Sequence, residues 1–229
     1  MKKARRAVAI AAALVLALSL AGCGTMMEDS VQALVQGNLD EIYLGKYNED
    51  FLQLVDITEA EAEQNYLDGL EVEAQYFAAL FSIDYMTEEL TAEIVDLYKE
   101  IYSHSRYEVG ETTKVDDDTY GVPVTVYPID VLQLAMDNLE AAATELQSQY
   151  TDEQIQAIIN EDEAALQAYD ADWAQMCIGL VREQLPNLGY LDAEEMVVQV
   201  TQDESDGLWV IADNDFQRID NLMIYYPST

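Results

Sequence analysis

Forty-five acidic side chains stand against ten Lys and Arg in this 229-residue chain, a formal net charge of −35 with a single His. That imbalance constrains the fold more than any other feature. An ionised carboxylate removed from water without a partner is costly, so with ten cations to share, most of these acids must stay at the surface. The interior then has to come from apolar side chains set at helical or strand period. Half of the residues are hydrophobic and 9% aromatic, with four Pro and ten Gly, which is ample for a core. Such a composition excludes a disordered acidic tail. The charge excludes a direct grip on nucleic acid, because neutralising phosphate takes clustered Lys and Arg.

The first 22 residues differ from the rest. Lys2, Lys3, Arg5 and Arg6 form a basic head, and residues 7–21 (AVAIAAALVLALSLA) are apolar apart from Ser19. This reads as an export signal, shorter than the roughly 20 apolar residues a spanning helix needs. It ends in Leu20-Ala21-Gly22-Cys23, which closely resembles the lipobox of bacterial lipoproteins. The resemblance implies that the Cys23 thiol receives a diacylglyceryl group and that the chain is cut before it. Residues 1–22 are then a signal peptide and residues 23–30 a lipidated tether. Membrane lipid is the expected partner through Cys23, at the extracytoplasmic face of the cell membrane. Each buried CH₂ contributes about 0.8 kcal/mol to such an anchor. Without residues 1–22 the balance is six bases against 45 acids, or −39.

Cysteine usage agrees with a fold held by packing alone. The one other Cys is Cys177, in the apolar stripe of an expected helix beside Met176 and Leu180. A Cys23 thioether leaves it no disulfide partner, and with no base nearby to lower its pKa it reads as a buried, inert thiol.

Residues 31–229 are expected to form one α+β domain. Val31–Gly37 reads as a short helix stopped by Gly37, with Asn38 and Glu41 opening another turn. Thr58 and Glu61 repeat that capping-box spacing before a helix with Tyr66, Leu70, Ala74, Phe77 and Phe81 inward. Thr87 starts the next, where Leu90, Ile94, Leu97, Tyr98, Ile101 and Tyr102 form one stripe. The period then becomes two, with Tyr120, Val122, Val124 and Val126 alternating after an Asp116-Asp117-Asp118 turn. Pro123 and Pro128 place that strand at an edge or end it early. A helix from Asp130 through Leu146, helices opened at Thr151 and Asn160, a strand at Met196–Val200, a strand at Leu208–Ile211 and a last short helix follow. The sum is about four antiparallel strands in two hairpins sharing one sheet, packed by about six helices. Segments 58–127 and 151–211 echo each other weakly in element order.

The opening VQALVQGNLDEIY and the closing DGLWVI are similar to segments of uncharacterised lipoproteins of Gram-positive bacteria. Some of these resemble the nuclear-transport-factor-2 type, which implies a curved sheet wrapped by helices around a pocket and transfers no functional residue.

Few side chains carry recognisable chemistry. His104 sits between Ser103 and Ser105 at a helix end, where neighbours do not face one another, so the string is no triad. Its place suits a helix C-terminus or water. One His and no Cys pair exclude a standard zinc site from this chain alone. Asp116, Asp117 and Asp118, and the run Asp203–Asp206, are calcium candidates by composition but lack the spacing of the known loop, and short acids also favour turns. Tyr98, Tyr102 and Tyr107 are candidates for a sugar- or peptide-binding groove, or for core rings with hydroxyls at the rim. No Gly-rich phosphate loop occurs. No cofactor is expected and no catalytic residue is assigned. The preferred reading is a non-enzymatic lipoprotein that binds a ligand or an envelope protein. One alternative is a pocket enzyme with an Asp or Glu plus a Tyr, marked by a buried carboxyl of raised pKa. The other is an accessory subunit of a transporter or wall-synthesis complex.

Overall fold

The computed structural model describes residues 24–202 and 209–227. The signal segment, Cys23 and the acidic run 203–206 lie outside the described residues. Among those described are nine α-helices and five strands, in the order α1(Gly24–Leu44), α2(Glu49–Val55), α3(Glu59–Phe81), α4(Glu88–Tyr102), β1(Arg106–Val109), β2(Thr113–Lys114), β3(Thr119–Tyr127), α5(Val131–Met136), α6(Leu139–Ser148), α7(Asp152–Ile159), α8(Glu163–Gln184), β4(Glu194–Gln202), β5(Trp209–Ile211) and α9(Asp213–Met223). The class is α+β and helix-rich, as the sequence periods require. No described helix is long and apolar enough to cross a membrane.

The strands form one sheet in the order β1-β3-β4-β5, with β2 also on β3. Thr113 lies opposite Gly121 and Lys114 opposite Tyr120, antiparallel. In the second hairpin Val200 pairs with Ile211 and Gln202 with Trp209, also antiparallel. Alternation sets which face is buried: Tyr120, Val122, Val124 and Val126 on β3 and Met196, Val198 and Val200 on β4 all point into the core. β3 is an interior strand rather than the edge its prolines suggested. The Pro123 carbonyl accepts the N–H of Gly110, 2.7 Å away and directly after β1. A strand residue's N and C=O face the same neighbour, so the missing donor of Pro123 falls in the gap where β1 has ended and β2 has not begun.

The chain divides into two compact units, each drawn from three stretches, and neither coincides with segment 58–127 or 151–211. Of the described residues, the first comprises 24–72, 107–126 and 195–220 apart from 203–208; the second comprises 73–106, 127–194 and 221–227.

In the first unit, α1 runs without a break through Gly37, so residues 24–30, expected as a tether, are helical and Gly37 is not a stop. Its glycine serves close approach: a Cβ at Gly37 would lie 2.1 Å from Cδ2 of the Phe51 ring. Asn38, fully buried, is not an N-cap either and donates Nδ2 to the Leu34 carbonyl at 2.7 Å. The true stop is Gly45, at φ +58°, where Lys46 N–H reaches back to the Asp40 carbonyl and Gly45 N–H to that of Glu41. The Thr58–Glu61 capping box before α3 forms in both directions.

In the second unit, the stripe of α4 is buried at every expected position, with Val95 added. Each such side chain contributes roughly 1.5–3 kcal/mol by leaving water. Thr87 caps this helix through Leu90 N–H, and Thr151 with Gln154 makes a full capping box on α7. The helix expected from Asp130 through Leu146 is two, α5 and α6, broken at Asp137-Asn138. Asp130 leaves its own helix uncapped, because its carboxylate instead accepts Gly189 N–H at 2.8 Å. The N-cap of α8 is Asp162, bonded to Ala165 N–H, two residues beyond the expected Asn160. On α8, Asp170 accepts the backbone N–H groups of Asp84 and Tyr85 at 3.0 and 2.9 Å, one on each carboxylate oxygen.

Candidate functional site

Three arrangements in the described residues bring together groups that sequence reasoning had scattered. The first lies in the second unit, around Glu73 on α3. Tyr102 donates its hydroxyl to Glu73 Oε1 at 2.6 Å, and Tyr226 donates to Oε2. With the Tyr226 proton committed to the carboxylate, Tyr98 is left to donate to the Tyr226 oxygen, 2.6 Å away. The phenols of Tyr98 and Tyr226 are held well above their usual pKa, chiefly by burial, so both stay protonated donors. The rings pack edge-on: Tyr98 against Tyr102 with centroids 6.0 Å apart, and Phe77 against Tyr98 at 6.3 Å. Tyr98 and Tyr102 are 0% and 3% exposed. They fill the interior, with the Tyr98 hydroxyl spent on Tyr226 and that of Tyr102 on Glu73, and present no face to a groove. With two phenols donating to it, the Glu73 carboxylate has its oxygens satisfied within the packed interior.

The second arrangement lies in the first unit, at the end of α1. Tyr107, the remaining groove candidate, donates to Asp40 Oδ1 at 2.6 Å, where Gln36 Nε2 also donates at 2.9 Å. One turn along the helix, Tyr43 donates to Asp220 Oδ1 at 3.2 Å, and the Tyr43 and Tyr107 rings tilt together 6.4 Å apart. Burial lifts the Asp220 carboxyl above its ordinary range, with the Tyr43 hydrogen bond opposing the shift. Glu41, 1% exposed, is likewise lifted by burial and held down in part by Asn65 Nδ2 at 3.0 Å. Both carboxyls carry the mark expected of a pocket acid, but structural buried acids carry it too.

The third is an open cleft of about 520 Å³ between α6 and α8 in the second unit. Its walls come from Ala142, Glu145, Leu146 and Gln149 on one side and from Asp172 through Glu183 on the other. The spacing i, i+3/4, i+7 repeats along both helices, so each contributes one continuous face. None of the tyrosine clusters above contributes to it. Sequence reasoning missed the cleft because its defining residues, Ala142 and Gly179, are small and carry no pattern.

The remaining candidates are placed plainly. Asp116, Asp117 and Asp118 are exposed in the turn before β3. Asp116 accepts Asp118 N–H at 3.0 Å and Asp117 pairs with Lys114 at 3.0 Å. Among the described residues no group of three or more His, Cys, Asp or Glu is arranged to hold a metal. His104 is exposed beyond the end of α4, and its carbonyl accepts the Tyr190 hydroxyl at 2.7 Å. Cys177 is fully buried, and burial, with Asp170 nearby, pushes its thiol up to about 12. Arg106 lies over the Tyr127 ring, 3.9 Å from its centroid.

No protein-family model and no curated protein matches this chain. Its fold is similar to the crystal structure of a putative lipoprotein, ycdA, from Bacillus subtilis, with a TM-score of 0.57 and 16% identity over 85% of this chain. The likeness spans 56% of that protein's length, and at this identity it establishes shared fold alone.

Proposed function

We propose that this chain is an exported lipoprotein, acylated on Cys23 and held at the outer face of the cytoplasmic membrane, whose folded body is a non-catalytic binding domain. The observation that carries the reading is Leu20-Ala21-Gly22-Cys23 behind a basic head and apolar run. The fold shared with the Bacillus subtilis protein, itself described as a putative lipoprotein, supports it. So does the chemistry of the body: the carboxylate of Glu73 is engaged, the thiol of Cys177 is buried, and the hydroxyls of Tyr98, Tyr102 and Tyr226 are committed to internal partners. A pocket of the nuclear-transport-factor-2 type belongs to this reading through the short segments quoted above. A dense coat of one charge keeps a tethered body from adhering to anionic lipid and wall polymer.

The test is metabolic labelling with an alkyne fatty acid in a bacterial host. The chain should take up label and partition with membranes, and Cys23→Ser should do neither. Label retained in Cys23→Ser, or an unmodified Cys23 in the membrane fraction, would refute the reading.

A further inference from the structure

The segment expected as a tether forms the first turns of a helix. α1 begins at Gly24, the residue after Cys23, and runs unbroken to Leu44. From Met27 onward every residue of α1 is buried or half-buried except Asp29 and Ala33. Val31, Leu34, Val35, Leu39 and Tyr43 are fully buried, and Gly37 packs directly on the Phe51 ring. Tertiary packing secures the costly nucleus of this helix, and each residue towards Gly24 only propagates it. Along the axis Met27 stands about 4.5 Å from Gly24, Gln32 about 12 Å and Leu44 about 30 Å.

Three observations give this helix a direction at a membrane. Gln32 Nε2 donates to the Val109 carbonyl at 3.4 Å, so the turn 110–112, between β1 and β2, lies level with the third turn of α1. The outward stripe of α1, Asp29, Ala33, Gln36 and Asp40, has no large apolar side chain with which the helix could lie flat in lipid. An acid-rich surface is also repelled by anionic headgroups within about 8 Å at physiological salt, which favours an upright helix. We propose that α1 is a rigid post that stands the first unit on the bilayer through the acyl chains of Cys23, with the turn 110–112 beside the phospholipid headgroups and the α1–α2 turn, 45–48, pointing away. This proposal rests on the acylation reading above and names the surface that faces the membrane.

The test places a small fluorescent amino acid at Glu111, or at Lys46 just beyond α1, in the full-length chain expressed in a bacterial host; both side chains are exposed. Glu111 is far from Cys23 in sequence, so a flexible tether would not bring it to the lipid surface. The protein is reconstituted into phosphatidylcholine–phosphatidylglycerol vesicles with and without a nitroxide on the lipid headgroup, which quenches at short range. Quenching should be about threefold stronger at Glu111 than at Lys46, given the helix length between them. A Gly-Ser linker of about 12 residues inserted between Gly24 and Thr25, with a mean reach of about 19 Å, should bring that ratio to about one. A ratio that survives the linker would overturn the proposal, since the turn would then hold lipid without the post. Mass spectrometry reads Cys23 on the same sample. Equal quenching at the two positions of an acylated chain overturns the post and leaves the anchoring reading standing, whereas an unmodified Cys23 overturns both.

Discussion

Replacing Gly37 by Ala sets two effects of comparable size against each other. In an isolated helix the change should stabilise by about 0.5–1 kcal/mol, because glycine loses more backbone freedom on folding. In α1 the new methyl would lie 2.1 Å from Phe51 Cδ2, and two further ring atoms fall within 2.7 Å. Ordinary contact begins near 3.4 Å, so the ring would have to retreat by about 1.3 Å. Phe51 is 3% exposed in the first turn of α2, whose N-terminus is fixed by Asn48 accepting Phe51 N–H. It has little room to give, and overpacking of this kind costs about 1–3 kcal/mol. The net expectation is a loss of about 1–2 kcal/mol, or roughly 2–8 °C in Tm for a chain of this size. Gly179→Ala is the matched comparison: another glycine in a helix interior, with open space around the new methyl, expected to gain about 0.5–1 kcal/mol. Thermal and urea melts of the two variants beside the parent decide the matter. Phe51→Leu should recover about 1 kcal/mol in the Gly37→Ala background and not in the parent. If Gly37→Ala stabilises the protein as Gly179→Ala does, the close approach of Phe51 to α1 is wrong.

Further outcomes follow from the buried polar groups. The Glu41 carboxyl has its pKa raised by burial. The folded state then holds this proton more tightly than the unfolded chain, so the carboxyl's contribution falls as pH rises from 4.5 through the folded pKa and is flat above it. Glu41→Gln should therefore raise Tm at pH 8 and narrow the rise in Tm that the parent shows on acidification to pH 5; a variant that parallels the parent at every pH would refute this. Asp170→Ala leaves the N–H groups of Asp84 and Tyr85 without their carboxylate. It should cost about 2–3 kcal/mol in a urea melt, and a change under 0.5 kcal/mol would show that water replaces it freely. Cys177, with its thiol pushed up to about 12, should be silent to a disulfide reagent at pH 8 in the folded Cys23→Ser protein and react in 8 M urea. Prompt reaction without denaturant would mean the thiol is accessible.

Element existence was readable wherever the signal is local. The stripe from Leu90 to Tyr102, the alternation of Tyr120 to Val126, and the boxes at Thr58 and Thr151 depend on residues within one or two turns of each other, and all are found. The errors share a cause. Gly37 reads as a stop in the sequence, whereas its reason for being glycine, the Phe51 ring, sits on another helix. Asn160 and Asp162 both suit an N-cap, and the backbone geometry at Asp162 decided between them. The break at Asp137-Asn138 has no sequence marker of the kind that Gly or Pro supplies.

Chemistry was less readable than fold, for the same physical reason. Tyr98 and Tyr102 could be singled out, but the partners that give them meaning lie 128 residues away at Tyr226 and 29 residues away at Glu73. The alignment of Ala142 and Gly179 into a cleft depends on how α6 packs against α8, which no period records. By itself the sequence determined the helical and extended segments and the acid-rich surface, because these follow from short-range backbone preference and from the cost of burying charge. Only the tertiary structure decided which carboxylates lie buried, which hydroxyls satisfy them and where a cleft remains open, since those outcomes depend on side chains that meet only after the chain has folded.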